Sequence, residues 1–298
     1  MSLSRNNPAH AADAPAAMPA GTASVAVHIA RNGQLQAAQD QVAEEVPLAL
    51  LYNGEPHVVM MATPGDLEDF ARGFSVTEEI VAGLDEIADI HIVPIPQDAA
   101  RGPIAAGFEI SLRVPAVSQQ ALQQRQRNMQ GRTGCGLCGA QTIGEALRIP
   151  RRVPAGTTIS LGALKRALDA LRQQQQINRV TGATHAAAWA TPDGLIVSLR
   201  EDVGRHNALD KLIGHLLQTQ ADLARGFLVI TSRASYEMVL KASMVGIPMV
   251  VAISAPTAYA IRIAEEAGMT LIGFAQGDRH VVYSCPGRLG TPAPGATP

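Results

Sequence analysis

The chain reads as an α/β protein in two parts: a domain built on a mixed sheet with helices on its faces and, before it, a smaller α+β domain. Three patterns lead there. From residue 226, "GFLVITS", "SYEMVLKASMVG", "PMVVAIS", "AYAIRIAEEAG" and "MTLIGFA" alternate short apolar runs with segments of helical spacing. Strand, helix and strand joined by short connections imply parallel strands with right-handed crossovers. Upstream, "HAAAWATPDGLIVSLRE" is a hairpin turning on Pro192-Asp193-Gly194, and "VPLALLYNGEPHVVMMAT" is another turning on Asn53-Gly54. A length of 298 residues fits two domains at roughly 150 residues each.

Taken in order, "MSLSRNNPAHAADAPAAMPAGTA" (1–23) has few large apolar residues and reads as a disordered arm. Residues 24–117 form the α+β domain. After the Asn53-Gly54 hairpin, Thr63-Pro64-Gly65-Asp66 starts a helix: Thr63 can cap, Pro64 suits the first turn, Asp66 meets the positive dipole end, and Leu67, Phe70 and Phe74 follow at helical spacing. "DIHIVPI" and "GFEISLRV" are two further strands. Residues 118–157 are a linker, Gln-rich to Gln130, then a mobile loop holding "RTGCGLCGAQTIGEAL". The larger domain covers 158–285. It opens on "LGALKRALDALRQQQQ", apolar at 161, 164, 168 and 171, an amphipathic helix, and "NALDKLIGHLL" is a helix after the hairpin. Residues 286–298, "PGRLGTPAPGATP", read as a disordered tail.

Composition narrows the function. With 47% hydrophobic residues, 17% charged and a net charge of -2, the chain has the profile of a soluble globular protein without a broad nucleic-acid surface. No apolar run reaches the roughly 18 residues a membrane helix needs, and residues 1–22 lack a secretory h-region, so a cytoplasmic protein is expected, with no membrane partner. Three cysteines make no disulfide framework at this size, and in a reducing cytosol a Cys-x-x-Cys pair points to metal binding or redox chemistry.

In sheets of this kind ligands bind beyond the carboxyl ends of the strands. Three loops leave that edge, "TSRAS" (231–235), "SAPT" (254–257) and "FAQGDR" (274–279), and "EDVGRHN" (201–207) lies on the same side. Arg205, His206, Arg233 and Arg279, with N–H groups at helix starts near Ser235 and Thr257, make a pocket for phosphate or pyrophosphate. Gly-rich nucleotide signatures are missing, which argues against an ordinary nucleotide triphosphatase or dinucleotide dehydrogenase.

Cys135 and Cys138 precede "AQTIGEALR", a segment of helical spacing, and Arg132 is close in sequence. A helix start and a cation lower a thiol's pKa and favour the reactive thiolate. Gly134, Gly136 and Gly139 free the backbone around both sulfurs. A structural zinc site would need further ligands that no second Cys-x-x-Cys supplies. Disulfide exchange and carriage of sulfane sulfur as a persulfide are the other readings of the spacing.

The blocks "EEVPLALLYNGEPHVVMMATPGDLEDFARGF", "TGCGLCG", "TGATHAAA", "EDVGRHNALDKLIG", "TSRASYEMVLKA" and "IPMVVAISAPTAYAIRIAEEAGMTLIGFAQG" together resemble the formate dehydrogenase accessory sulfurtransferases, over about residues 40–288. The resemblance implies a sulfur carrier. It takes sulfur from a cysteine desulfurase as a persulfide on Cys135, assisted by Cys138, and passes it to the molybdenum (or tungsten) bis-molybdopterin guanine dinucleotide cofactor, a bound substrate, before that cofactor enters formate dehydrogenase. It further implies a homodimer, a cofactor site lined by Phe274, Ala275, Gln276, Gly277, Asp278 and Arg279, and a cytidine-deaminase-like, three-layer α/β/α larger domain. Added to these by position are Arg205, His206, Arg233 and His185. A zinc deaminase would carry His/Cys-x-Glu and Pro-Cys-x-x-Cys at two helix starts. Here Ala208 follows His206 by two, and "SRASYEM" has no cysteine. No permanently bound metal is expected. The alternatives are a cofactor-binding chaperone without sulfur transfer and a Cys-x-x-Cys disulfide oxidoreductase.

Other residues have plainer readings. His185 stands between a core histidine and a site role, and Glu201 and Asp202 between solvated turn carboxylates and partners of Arg205 or a guanine edge. Lys211 and Lys241 read as surface residues within helices, and Met238, Met244 and Met249 as core packing. Cys285 reads as buried and inert, with proximity to the cofactor site as the second option.

Overall fold

The Asn53-Gly54 turn stands where the sequence puts it. In the computed structural model, which describes residues 18–96, 106–118, 148–277 and 279–290, β3 (Val46–Tyr52) and β4 (Glu55–Ala62) pair antiparallel around Asn53 and Gly54. Their φ angles of 51° and 84° are what a two-residue hairpin turn requires. β5 (Asp89–Ile95) and β6 (Gly107–Arg113) complete a four-stranded sheet of order β4-β3-β6-β5, with β3 and β6 parallel. Leu48, Leu50, Tyr52, Ile110 and Leu112 point to one face, where they bury Phe70, Ala71 and Phe74 of α1 (Leu67–Thr77). Before this sheet, β1 (Thr22–Arg31) and β2 (Gln34–Ala43) form a separate hairpin that their Ala- and Gln-rich sequence does not advertise.

The larger part is three-layered. β7 (Ile159–Ser160) leads into α2 (Leu161–Gln174), capped by the Ser160 hydroxyl, which accepts from Ala163 N at 3.1 Å, and then into the short α3 (Gln176–Thr181). The hairpin of β8 (His185–Ala190) and β9 (Ile196–Asp202) precedes α4 (Arg205–Gln218). There follow β10 (Phe227–Ile230), α5 (Tyr236–Met244), β11 (Met249–Ala252), α6 (Ala258–Ala267), β12 (Thr270–Gln276) and β13 (Arg279–Ser284). The six strands lie in the order β13-β12-β11-β10-β8-β9, with β10, β11 and β12 parallel and the two hairpins antiparallel. Residues alternate between faces as strand pleating demands. Ala186, Ala188, Phe227, Val229, Met249 and Val251 pack under α2, while Ala187, Trp189, Leu228, Ile230, Val250 and Ala252 pack under α4, α5 and α6. Met238, Met244 and Met249 are core residues, as expected.

Four expectations need correction. Residues 286–290 are no free tail: after a 3-10 turn, β14 (Leu289–Gly290) pairs in parallel with β7, and the Arg288 guanidinium donates to Ala155 O, Gly268 O and Pro154 O. Phe274 to Arg279 is not a loop: Phe274, Ala275 and Gln276 close β12, and Arg279, paired with Gln276, opens β13. Thr63 does not cap α1, whose N-cap is Asp66 in a left-handed conformation (φ 53°) without a side-chain bond. Lys211 and Lys241 are not on the surface, with 0% and 4% exposure. Their helices lie between the sheet and the N-terminal domain, a setting that one-sided amphipathic spacing does not reveal.

The two parts join through α1 and α4, which cross at Gly73 and Gly214. A methyl on Gly73 would strike the carbonyl of Asp210, and one on Gly214 the carbonyl of Asp69. Backbone lies against backbone, so the pair admits no side chain. Gly214→Ala should therefore lower the stability of the protein by about 3 kcal/mol in urea unfolding, the upper end of what overpacking costs. A midpoint within experimental error of wild type would show that the crossing yields.

Candidate functional site

Three chain segments converge beyond the carboxyl ends of β10, β11 and β12. Ala234 and Pro256 form a bridge, Thr257 N donates to Ala234 O, Ile253 N to Ile230 O, and Phe274 N to Ser254 O at 3.1 Å. β8 runs antiparallel to β10, which brings its first residue, His185, to the same edge, where Ala186 N donates to Thr231 Oγ1 at 2.9 Å. β9 ends beside it, with Asp202 opposite His185, so the start of α4 joins the edge too.

A buried network fixes that start. Asp202, fully buried, accepts from Gly204 N (2.7 Å) and Asn207 Nδ2 (3.0 Å) through one oxygen, and from Thr63 N (3.0 Å) and Lys211 Nζ (2.7 Å) through the other. Lys211 also donates to Thr63 O, and Val203 N to Thr63 Oγ1. Each partner of this carboxylate comes from the protein, as a buried charge requires. Asp202 is thus neither a solvated turn residue nor a ligand for guanine. It ties the turn that presents Arg205 to the N-terminal domain. Glu201, 8% exposed, likewise turns inward and accepts from Ile177 N, Asn178 N and Thr184 Oγ1 at 2.8 to 3.0 Å. It caps α3.

Between α2, α3 and the strand ends lies a cleft of about 410 Å³ lined by Arg172, Gln175, Asn178, Arg179, Thr184, His185, Thr231 and Ile253. His185 is half-buried. Burial, then the charges of Arg205 and His206, push its imidazole below the ordinary 6.5. The cleft therefore carries two guanidinium groups, a histidine held towards its neutral form, and hydroxyl and amide donors.

The expected site residues divide accordingly. His185, Arg205 and His206 come together. His206 Nε2 stands 2.7 Å from Glu237 Oε2 of α5. Arg205 Nε is buried without a hydrogen-bond partner among the described residues. Arg233, Gln276, Gly277 and Arg279 are exposed. Phe274 is 40% exposed at a φ of 51°, rare for an aromatic residue, with the Arg279 guanidinium 5.7 Å from its ring centroid. Ala275 faces the other way, into the core beneath α2. Thr257 spends its hydroxyl on Ala260 N, while Ser235 makes no such bond. Cys285 is half-buried at the far end of β13, where Ser284 pairs with Leu271, and not near Phe274. Cys135, Cys138 and Asp278 lie outside the described residues. Among the described residues no group of three or more His, Cys, Asp or Glu could hold a metal ion, and no helix is long and apolar enough to cross a membrane. Sequence reasoning missed Arg172, Gln175, Asn178 and Arg179; the signal was polar residues on both sides of a helix break at Gln175.

Comparison with known proteins places this architecture. The model of the FdhD/NarQ family matches residues 43–290. A protein of Xanthomonas euvesicatoria pv. vesicatoria named sulfur carrier protein FdhD is 50% identical over 259 residues, 87% of this chain and 89% of that one. One of the same name from Cupriavidus necator is 46% identical over 280 residues, 94% of each chain. A crystal structure described as a formate dehydrogenase accessory protein from Desulfotalea psychrophila superposes with a TM-score of 0.68 at 22% identity, over 90% of this chain and 99% of the other. It shares the fold.

The electrostatics at His185 make a titration prediction. A folded pKa below the unfolded value means that the unfolded chain binds the proton first, so His185 subtracts stability as pH falls below 6.5. In an NMR titration its ring should show a midpoint under 6.5 that rises in Arg205→Gln. A midpoint at or above 6.5, or one indifferent to that substitution, would contradict the arrangement.

Proposed function

The chain belongs to the FdhD/NarQ family, and from that premise we propose that it is a sulfur carrier in the maturation of formate dehydrogenase, a cytoplasmic homodimer that receives sulfur from a cysteine desulfurase. The observation that carries this reading is the near 50% identity, over most of both chains, to relatives named sulfur carrier proteins. The Cys135-Gly136-Leu137-Cys138 pair supplies the chemistry. The thiolate of Cys135 attacks the terminal sulfur of the desulfurase persulfide, an S–S bond forms on Cys135, and the desulfurase thiolate leaves. Discharge follows when the Cys138 thiolate attacks Cys135 Sγ and hydrosulfide departs, leaving a Cys135–Cys138 disulfide that a thiol reductant reopens.

The acceptor we assign is a guanine-dinucleotide pterin cofactor carrying molybdenum or tungsten, bound as substrate at the strand-end edge. Arg205, with its unpartnered Nε, and the exposed Arg233 and Arg279 suit phosphate oxygens, and the outward Phe274 ring with Arg279 over it suits a purine face. The order of a hairpin followed by three parallel strands supports a cytidine-deaminase-like class for the larger domain. Ala208, where a deaminase has its glutamate, is packed in the core, which supports a binding role for the edge in place of metal-assisted hydrolysis.

Protein incubated with a cysteine desulfurase and cysteine should gain one sulfur atom on the peptide containing Cys135, seen by mass spectrometry, and Cys135→Ala should lose both the adduct and formate dehydrogenase activation. Full activation by Cys135→Ala would sink the carrier reading and leave a chaperone that holds the cofactor only.

A further inference from the structure

Arg148 stands ten residues after Cys138 and is gripped from two directions. Its amide donates at 2.8 Å to the hydroxyl of Tyr236, the first residue of α5. Its guanidinium donates to Thr77 O at 3.0 Å and to Glu78 Oε2 at 3.2 Å, at the end of α1. Arginine suits that end, where the last carbonyls lack partners within the helix. Three residues on, Arg151 donates to the carbonyl of Met244, the last residue of α5, and to Glu79. Residues 148–151 thus run alongside α5 from its start to its end. Tyr236 directly follows the 231–235 loop, so the Arg148 end of this strap is its strand-end side. The Arg151 end lies about 12 Å away, at roughly 1.5 Å per helical residue.

The Tyr236 hydroxyl is not what docks α1 on α5, because Lys241 already ties Thr77 and Glu78 to that helix. Nor does the Tyr236 ring need it: the ring is buried against Tyr259, with centroids 4.9 Å apart. What the hydroxyl adds is the place of one peptide. A stretch of ten residues spans at most about 36 Å, so the position of Arg148 bounds that of Cys138. We infer that Tyr236 and Arg148 are positioning residues for sulfur discharge, holding the chain that follows the Cys135–Cys138 pair at the strand-end side of α5, toward the proposed acceptor. Without this grip the next hydrogen bonds along the chain are those of Arg151, at the opposite end of the helix. The distance the thiols must cover to the acceptor then grows by as much as about 12 Å, and their effective concentration there falls. Loading is an encounter with a separate protein and has no such dependence. The inference rests on the carrier reading for what the thiols deliver.

Two measurements on the full chain carrying Tyr236→Phe/Arg148→Gln test it. In the first, wild type and variant are loaded with sulfur by a cysteine desulfurase and cysteine, then mixed with inactive formate dehydrogenase. Loading rates should agree within about twofold, while discharge should slow by about fivefold or more. Tyr236→Phe alone, which keeps the ring packing, should show the same split at smaller amplitude, and unfolding midpoints check that both variants fold. In the second, spin labels at Ile149→Cys, a site 79% exposed, and at Ala258→Cys, at the exposed start of α6, report a distance distribution in a chain whose three native cysteines are changed to serine. The double variant should broaden that distribution and shift it outward. Equal discharge rates, a parallel fall in loading and discharge, or an unchanged distribution would each overturn the positioning role while the carrier reading stands. Wild type that takes up no sulfur would bring down the carrier reading and this role together.

Discussion

The crossing of α1 and α4 at Gly73 and Gly214 is the constraint on which the remainder of the structure depends. Two helices whose backbones touch leave no room for side chains at the crossing, so polar groups on either side of it are sealed from water and must satisfy one another. On one side Asp202, Lys211 and Thr63 do so; on the other, Lys241 donates to Asp210, Thr77 and Glu78 at 2.7 to 3.0 Å. Burial pulls the Lys241 pKa down, but the carboxylates of Asp210 and Glu78 outweigh it and hold the amine above its ordinary 10.5. Such pairs contribute little net stability compared with an apolar core, but removing one partner costs about 3–5 kcal/mol, so they fix one docking of the two parts.

That docking reaches the site. The Asp202 turn presents Arg205 and faces His185, and Arg148, the first described residue after the cysteine segment, donates to Thr77 O and pairs with Glu78 while its amide donates to Tyr236 Oη. The N-terminal domain, none of whose described residues lies at the strand-end edge, thereby sets both the cationic start of α4 and the position of Arg148.

Much of this was legible in the sequence. Period-two and helical spacing placed the Asn53-Gly54 hairpin, the Pro192-Asp193-Gly194 hairpin and the alternating strands and helices after residue 226, because those patterns are local. Long-range packing was not legible. Asp210 and Lys211 look like ordinary helix-surface charges, since nothing in α4 alone says that a second helix covers its outer face; the glycines at 73 and 214, costly inside helices, were the available hint. The edge was found from the rule that ligands sit at strand ends, and His185, Arg205 and His206 do meet there. The Gln175 cleft was missed because it arises where two helices break, a feature without periodicity. Residues 274–279 read as a loop, whereas Phe274 to Gln276 continue β12 and Arg279 opens β13, because the polar end of an exposed hairpin lacks the apolar alternation that marks a strand.

A sulfur carrier of the kind proposed passes sulfur through itself to the enzyme it serves. Radiolabelled sulfur loaded onto the purified carrier by a desulfurase, then chased with unlabelled cysteine in the presence of inactive formate dehydrogenase holding its cofactor, tests that most directly. Label should leave the carrier and appear in formate dehydrogenase in proportion to the activity gained. Activity that rises while the label stays on the carrier would contradict it.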